Sequence, residues 1–153
     1  MPPVLSLFEK CRRMPAGRFI FSRALCLKAP YFSSIRPVVM ELRPGLCEVR
    51  MRKRRAVTNH IGTVHAIAMC NMAELSGGLL TDVSLPAGMR WIPKGMTVEY
   101  LKKAETDLLA KATLESQPAS GFTGECPALV EVRDTTGDLV FRACIIMWVS
   151  PQK

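Results

Sequence analysis

No apolar stretch of the chain approaches the roughly 20 residues that a membrane-spanning helix requires, so an integral membrane protein is not expected. Internal repeats and low-complexity tracts are also missing, which argues against a repeat array or a disordered linker. The six cysteines (Cys11, Cys26, Cys47, Cys70, Cys126 and Cys144) include no C-x-x-C pair, so zinc knuckles and redox dithiols are poorly supported and no metal site is expected. With no cleavable signal sequence recognisable, the expected state is reduced thiols used as small hydrophobes in the cytoplasm. Aromatic residues are few, with two Trp and two Tyr, and no stacking pattern accompanies the basic residues, so nucleic acid is not the expected partner. Acids are scarce at the start: Glu9 alone stands against Lys10, Arg12, Arg13, Arg18, Arg23 and Lys28 within residues 1–30.

What is present points to one folded domain. The 153 residues are 48% hydrophobic and 22% charged, enough to close a single core and too apolar for disorder. The net charge of +8 is concentrated in the first thirty residues and in a second basic knot, Arg50–Arg55. Such basicity suits nucleic acid, anionic lipid or a phosphorylated small molecule, and charge alone does not choose among them.

The spacing of apolar residues predicts helix over 3–29, broken near Pro15-Ala16-Gly17. An Arg-rich, acid-poor start also resembles a transit peptide, but Leu5, Phe8, Phe19, Phe21 and Leu25 favour a helical preface packed on a sheet. Strands are expected over Ile35–Leu42 and Leu46–Arg54, turned by Arg43-Pro44-Gly45. In the second, Cys47, Val49 and Met51 alternate with Glu48, Arg50 and Arg52, so part of the basic knot reads as a wet strand face. Val64–Leu80 reads as a helix apolar on nearly every side, with Gly77-Gly78 marking its weakening end. After a loop rich in Pro86, Gly88 and Pro93, alternation returns at Met96–Tyr100, Leu108–Leu114, Ala128–Asp134 and Leu139–Val149. The last two are joined by the Thr135-Thr136-Gly137 hairpin signal. An antiparallel sheet curling around one buried helix satisfies both order and burial. The expected division is an N-terminal helical extension (1–30) and a single α+β domain (31–153).

Polar residues interrupt the apolar helix and its approach. A buried Glu74 would cost several kcal/mol without partners, although a salt bridge to an arginine would explain it. His65 could be a helix cap, and Asn59 could make a turn with Gly62. His65 and Glu74 are nine residues apart, about 13 Å of rise and half a turn out of phase, so in one straight helix they cannot meet. Two antiparallel copies could bring them together. The free N–H groups of the first turn, beginning with Ala66, would form an anion trap facing the other copy's Glu74. A carboxylate and an oxyanion site are the parts needed to attack and polarise a carbonyl.

Asn59-x5-His65-Ala66-x7-Glu74 followed by Gly77-Gly78 resembles the central-helix signature of hotdog-fold acyl-CoA thioesterases. The nearest branches are the phenylacetate-pathway and hydroxybenzoyl-CoA thioesterases. Arg54–Ala66 and Val98–Ala104 further resemble an uncharacterised bacterial subfamily of that fold, the likeness covering roughly 30–149. It implies a hotdog fold, an antiparallel sheet wrapped around a long central helix, here with an extra N-terminal helix.

For function, the resemblance implies hydrolysis of a fatty or aromatic acyl-CoA in a homodimer or a tetramer built from dimers. It implies no cofactor beyond the coenzyme A of the substrate. Glu74 matches the nucleophile or general base, and Ala66 the backbone N–H facing the thioester oxygen. Asn59 and His65 match residues that orient substrate or water. Gly62, Met72, Trp91, Arg90 and Lys94 are the expected substrate contacts, with Leu75, Met89 and the N-terminal helix as further walls. Arg52–Arg55, Lys102 and Lys103 join Arg90 and Lys94 as candidates for the coenzyme A phosphates by charge alone. One departure stands out: the family's His-Gly-Gly is His65-Ala66-Ile67, which keeps the amide but crowds the approach. That keeps a non-catalytic acyl-CoA or fatty-acyl binding protein in view. Hydration of an enoyl thioester is less favoured, because its His/Asp arrangement is not found.

Overall fold

The computed structural model describes residues 1–152. Two helices, α1 (Pro3–Arg12) and α2 (Gly17–Lys28), precede strands β1 (Val38–Arg43) and β2 (Leu46–Met51). The long helix α3 (Ala66–Ser84) follows, and then β3 (Met89–Tyr100), β4 (Leu108–Leu114), β5 (Gly124–Asp134) and β6 (Leu139–Pro151). All strand pairs are antiparallel, in the order β1-β2-β4-β5-β6-β3. The sheet wraps α3, which contacts β1 through β6. This is the hotdog arrangement that the sequence resembles.

Small residues allow the helix to lie close to the sheet. Ala110, Ala112, Ala128 and Ala143 are buried beneath it, and a Cβ on Gly77 would meet Ile145 Cδ1 at 2.9 Å. Gly78 has the same relation to Trp91, whose Cη2 would lie 2.9 Å from a Cβ there. The glycine pair therefore does not end the helix, which runs to Ser84. It occupies the middle, where each missing side chain makes room for a neighbour. Leu85-Pro86 sets the end, since the residue before proline is pushed out of the helical region and Leu85 is extended. Met72, Leu75 and Leu80 fill the space toward Val39, Leu42, Val49, Met51, Val130 and Met147. Each such large aliphatic side chain contributes about 1.5–3 kcal/mol on full burial.

The N-terminal helices belong to this core. Phe8 and Phe21 are buried and meet edge to face with ring centroids 5.1 Å apart, and Leu5 is buried beside them. Phe19, expected to pack inward, is instead 54% exposed, and the Arg23 guanidinium sits 5.2 Å from its ring centroid. All six cysteines are free thiols. Burial, with Glu48 and Glu41 nearby, pushes the Cys47 thiol well above its usual range.

Several boundaries differ from expectation for physical reasons. Ile35 closes a short 3-10 turn (Pro30–Ile35) and not a strand, while Arg55–Val57 forms another beyond the end of β2. β3 starts at Met89 and passes through Pro93, where a loop was expected. Proline is tolerated there because β3 is an edge strand, and the β3–β6 register shifts between Pro93 and Gly95. β5 likewise begins at Gly124, before its expected start.

Candidate active site along the central helix

His65 is the N-cap of α3, and its Nδ1 accepts the Ile67 N–H at 3.0 Å. Extended backbone at His65 places the ring over the first turn, and its own N–H donates to the Val57 carbonyl at 2.8 Å. With Nδ1 accepting, Nε2 is the ring nitrogen left to carry the proton. The Ala66 N–H takes no acceptor among the described residues. It is a first-turn amide at the positive end of a 19-residue helix, the position at which developing negative charge is best received.

Asn59 organises the loop before this turn. Its Oδ1 accepts from the Ile61 and Thr63 N–H groups at 3.2 and 3.1 Å, and its Nδ2 donates to Thr63 Oγ1 at 2.8 Å. Gly62 supplies the positive φ, +80°, that closes the turn. Both residues thus shape the approach to the helix start. Asn71, which the sequence reading passed over, completes the polar lining. It is 7% exposed, its Nδ2 donates to Ser34 Oγ at 3.0 Å, and its Oδ1 is buried without a partner. His65, Ile67, Ala68, Asn71, Tyr31 and Ser34 line a 210 Å³ groove. A lone Asn inside an otherwise apolar helix was the signal available for it.

Glu74 lies elsewhere. It is exposed, not buried, and belongs to no ion pair among the described residues. The all-round apolar stripe suggested burial, but the helix turns this position outward beside β3. There Glu74 shares a 240 Å³ cavity with Pro93, Lys94, Gly95, Met96 and Ile145, at the irregularity in the β3–β6 ladder. Such irregularities re-aim side chains and are frequent next to active sites. Lys94 reaches into this neighbourhood while pairing with Glu125 at 2.7 Å. Within one chain, then, the helix start and the carboxylate open into separate grooves.

The other expected contacts divide. Trp91 packs on Gly78, one turn beyond Glu74 on the same helix face, and its Nε1 donates to Asp82 Oδ1 at 3.4 Å. With Met1, Met89 and Arg90 it lines a 670 Å³ cavity, so the start of the N-terminal helix does meet those walls. Arg90 Nε donates to Ser150 Oγ at 3.3 Å. Met72 and Leu75 are buried in the core. Among the described residues, no group of three or more His, Cys, Asp or Glu could hold a metal ion. No helix among the described residues is long and apolar enough to cross a membrane.

A six-stranded antiparallel sheet wrapped around a central helix defines the hotdog fold, and polar groups mark that helix's start and flank. The chain belongs to the family defined by the domain of unknown function DUF4442, whose profile matches residues 17–149. Among solved structures it is similar to the structural-genomics protein APC5556, at 47% identity and TM-score 0.84, covering 97% of this chain and 98% of that one. A protein of unknown function and probable thioesterase, PA5026 of Pseudomonas aeruginosa, is 23% identical with TM-score 0.76, over 91% of this chain and 97% of that one. The thioesterase HI1161 of Haemophilus influenzae is 16% identical with TM-score 0.73, over 84% and 87%. These two likenesses carry the fold. No curated protein matches the chain in sequence.

Proposed function

We propose that the protein is an acyl-CoA thioesterase that hydrolyses a fatty or aromatic acyl thioester at a site completed by two chains. The observation that carries this reading is the separation of an unpartnered Ala66 amide from an unpaired Glu74 on one helix, with an open strand edge beside the carboxylate. β1, the opposite edge, is short and covered: α2 packs on it, and Ser22 Oγ accepts the Val39 N–H at 2.9 Å. β3 has twelve residues and is exposed along most of its length. A long uncovered edge is a template for a second strand, and a two-fold pairing of β3 with its copy is self-complementary. That pairing would set the two α3 helices antiparallel, each Glu74 facing the other chain's helix start.

In such a site the Glu74 carboxylate takes a proton from water, and the water oxygen attacks the thioester carbonyl. The Ala66 N–H receives the oxyanion. Collapse breaks the C–S bond, and the proton held by Glu74 passes to the departing thiolate, giving a carboxylic acid and coenzyme A. The His65 ring lines the groove beside the Ala66 amide, and its Nε2–H suits the orientation of water. The reaction needs no cofactor beyond the coenzyme A of its substrate, and the cytoplasm is the compartment where that substrate and free thiols coexist. The direct indicator of this chemistry is thiol release, measured over short, long and aromatic acyl-CoAs. Glu74→Gln should fold as the parent and lose about 10²–10⁴-fold in rate. Equal rates for the two proteins would overturn the proposal.

A second reading, acyl-CoA binding without turnover, is favoured by one observation. Ile67, standing where the resembled family has glycine, is 56% exposed beside the amide, and its side chain narrows the approach to the carbonyl. Calorimetric binding of acyl-CoA with no thiol released would establish it.

A further inference from the structure

Arg54 connects the helix-start groove to a second cavity. Its Nη2 donates to the carbonyl of Ser34, a residue that lines the groove. The second cavity, 740 Å³, gathers Arg23, Arg36, Arg50, Arg52, Lys53 and Arg54. They come from α2, the residue following the first 3-10 turn, β2 and the segment after β2. None of the six forms an ion pair among the described residues. The carboxylate in contact is Asp107, whose Oδ1 accepts the Lys53 backbone N–H at 2.9 Å, while Lys53 Nζ donates to the backbone carbonyl of Glu105 at 3.0 Å.

Gathering like charges costs free energy unless something neutralises them. Arg54 registers that cost: burial foremost, then Arg36 and Arg23, hold its guanidinium below the usual arginine range. Two of the guanidinium groups, those of Arg23 and Arg54, are nevertheless held by backbone carbonyls. Arg23 Nη2 donates to the Pro37 carbonyl at 2.8 Å, and the Nε atoms of Arg23 and Arg54 are buried without partners. Arg36 keeps a left-handed φ of +47°, a conformation that costs a non-glycine residue roughly 1–2 kcal/mol. Pre-set guanidinium forks match phosphate oxygens in geometry as well as charge. Six cations around a ligand-sized hollow suit several phosphates on one molecule better than a single anion.

We propose that this cavity binds the clustered phosphates of a polyphosphorylated small molecule. Resting on the thioesterase reading, it holds the phosphomonoester and diphosphate of coenzyme A while the thioester arm runs past Ser34 to the Ala66 amide. The charges line a hollow and not a flat face, which favours a small ligand over a membrane surface.

The test is calorimetric titration of the full chain with coenzyme A, dephospho-coenzyme A, ADP, pantetheine and phosphatidylglycerol vesicles, for the parent and for Arg50→Ala/Arg52→Ala. Both substituted side chains are exposed, and unchanged circular dichroism checks that the variant folds. The expected results are coenzyme A binding weakened about tenfold or more in the variant and a smaller loss for dephospho-coenzyme A. In turnover, the ratio of KM for acyl-CoA to KM for acyl-pantetheine should rise by a similar factor. Thiol release with that ratio unmoved would overturn this inference and leave the thioesterase reading standing. Cavity-dependent binding of coenzyme A or ADP without thiol release would uphold the phosphate site and remove the thioesterase reading. Vesicle binding that depends on Arg50 and Arg52, with neither nucleotide bound, would overturn the inference in favour of a lipid surface.

Discussion

Replacing Ala66 by proline removes one hydrogen-bond donor from the proposed site and leaves the helix otherwise able to form. Ala66 is the first residue of α3, with His65 as its cap. Proline is favoured at this position, because the first amide has no intrahelical acceptor to lose. The residue before proline must be extended, and His65 already has φ −65° and ψ 138°. The Ala66 N–H has no acceptor among the described residues, so no internal hydrogen bond is broken. The change in stability should therefore stay within about 1 kcal/mol, read from the urea midpoint. Catalysis should respond very differently. Removing one preorganised oxyanion donor costs about 10²–10³-fold in kcat, or about 2.7–4 kcal/mol. The assay is thiol release at saturating acyl-CoA, alongside Ala66→Gly, which keeps the donor and should retain activity. Parental kcat in Ala66→Pro would refute the role assigned to this amide. A stability loss above about 2 kcal/mol would refute the geometry from which the prediction was drawn.

Two predictions concern the scaffold. Phe8→Ala should destabilise by about 3–5 kcal/mol, since the ring is wholly buried against Phe21; a loss under 1 kcal/mol in urea unfolding would mean that α1 does not fold with the core. Asp134 Oδ1 accepts from the Thr136 N–H and hydroxyl and from the Asp138 N–H, and the Thr136 hydroxyl foremost holds its carboxyl below the usual range. A carboxylate whose folded pKa is depressed stabilises fully above its unfolded value and loses that contribution as pH falls through the folded one. The stability difference between parent and Asp134→Asn should accordingly be constant near neutrality and shrink below about pH 3.9; a difference independent of pH in acid would contradict this.

Much of the architecture was legible because periodicity reports burial directly. Val49 and Met51 alternating with Arg50 and Arg52, and the dense apolar pattern of α3, define a sheet wet on one side and a helix inside it. Glycine is more ambiguous, since the same residue ends helices and lets them pack closely, and Gly77-Gly78 did the second. Pro93 looked like a breaker because sequence does not reveal which strand lies at an edge. Glu74 was expected on the central helix and in its interior, because an apolar stripe that wraps nearly all round conceals the narrow exposed face of Ile67, Glu74 and Asp82. Asn71 passed unnoticed beside the more conspicuous His65 and Glu74. The basic cavity is a matter of three dimensions: Arg23 and Arg36 reach the Arg50–Arg54 segment only after α2 packs on β1.

The central claim is that each active site takes its carboxylate from one chain and its amide from the other. Mixing Glu74→Gln with Ala66→Pro, each nearly inactive alone, tests it most directly. In a mixed dimer one site would carry both defects and the other neither, so random pairing should restore about a quarter of parental activity. A mixture no more active than its two components would contradict the claim.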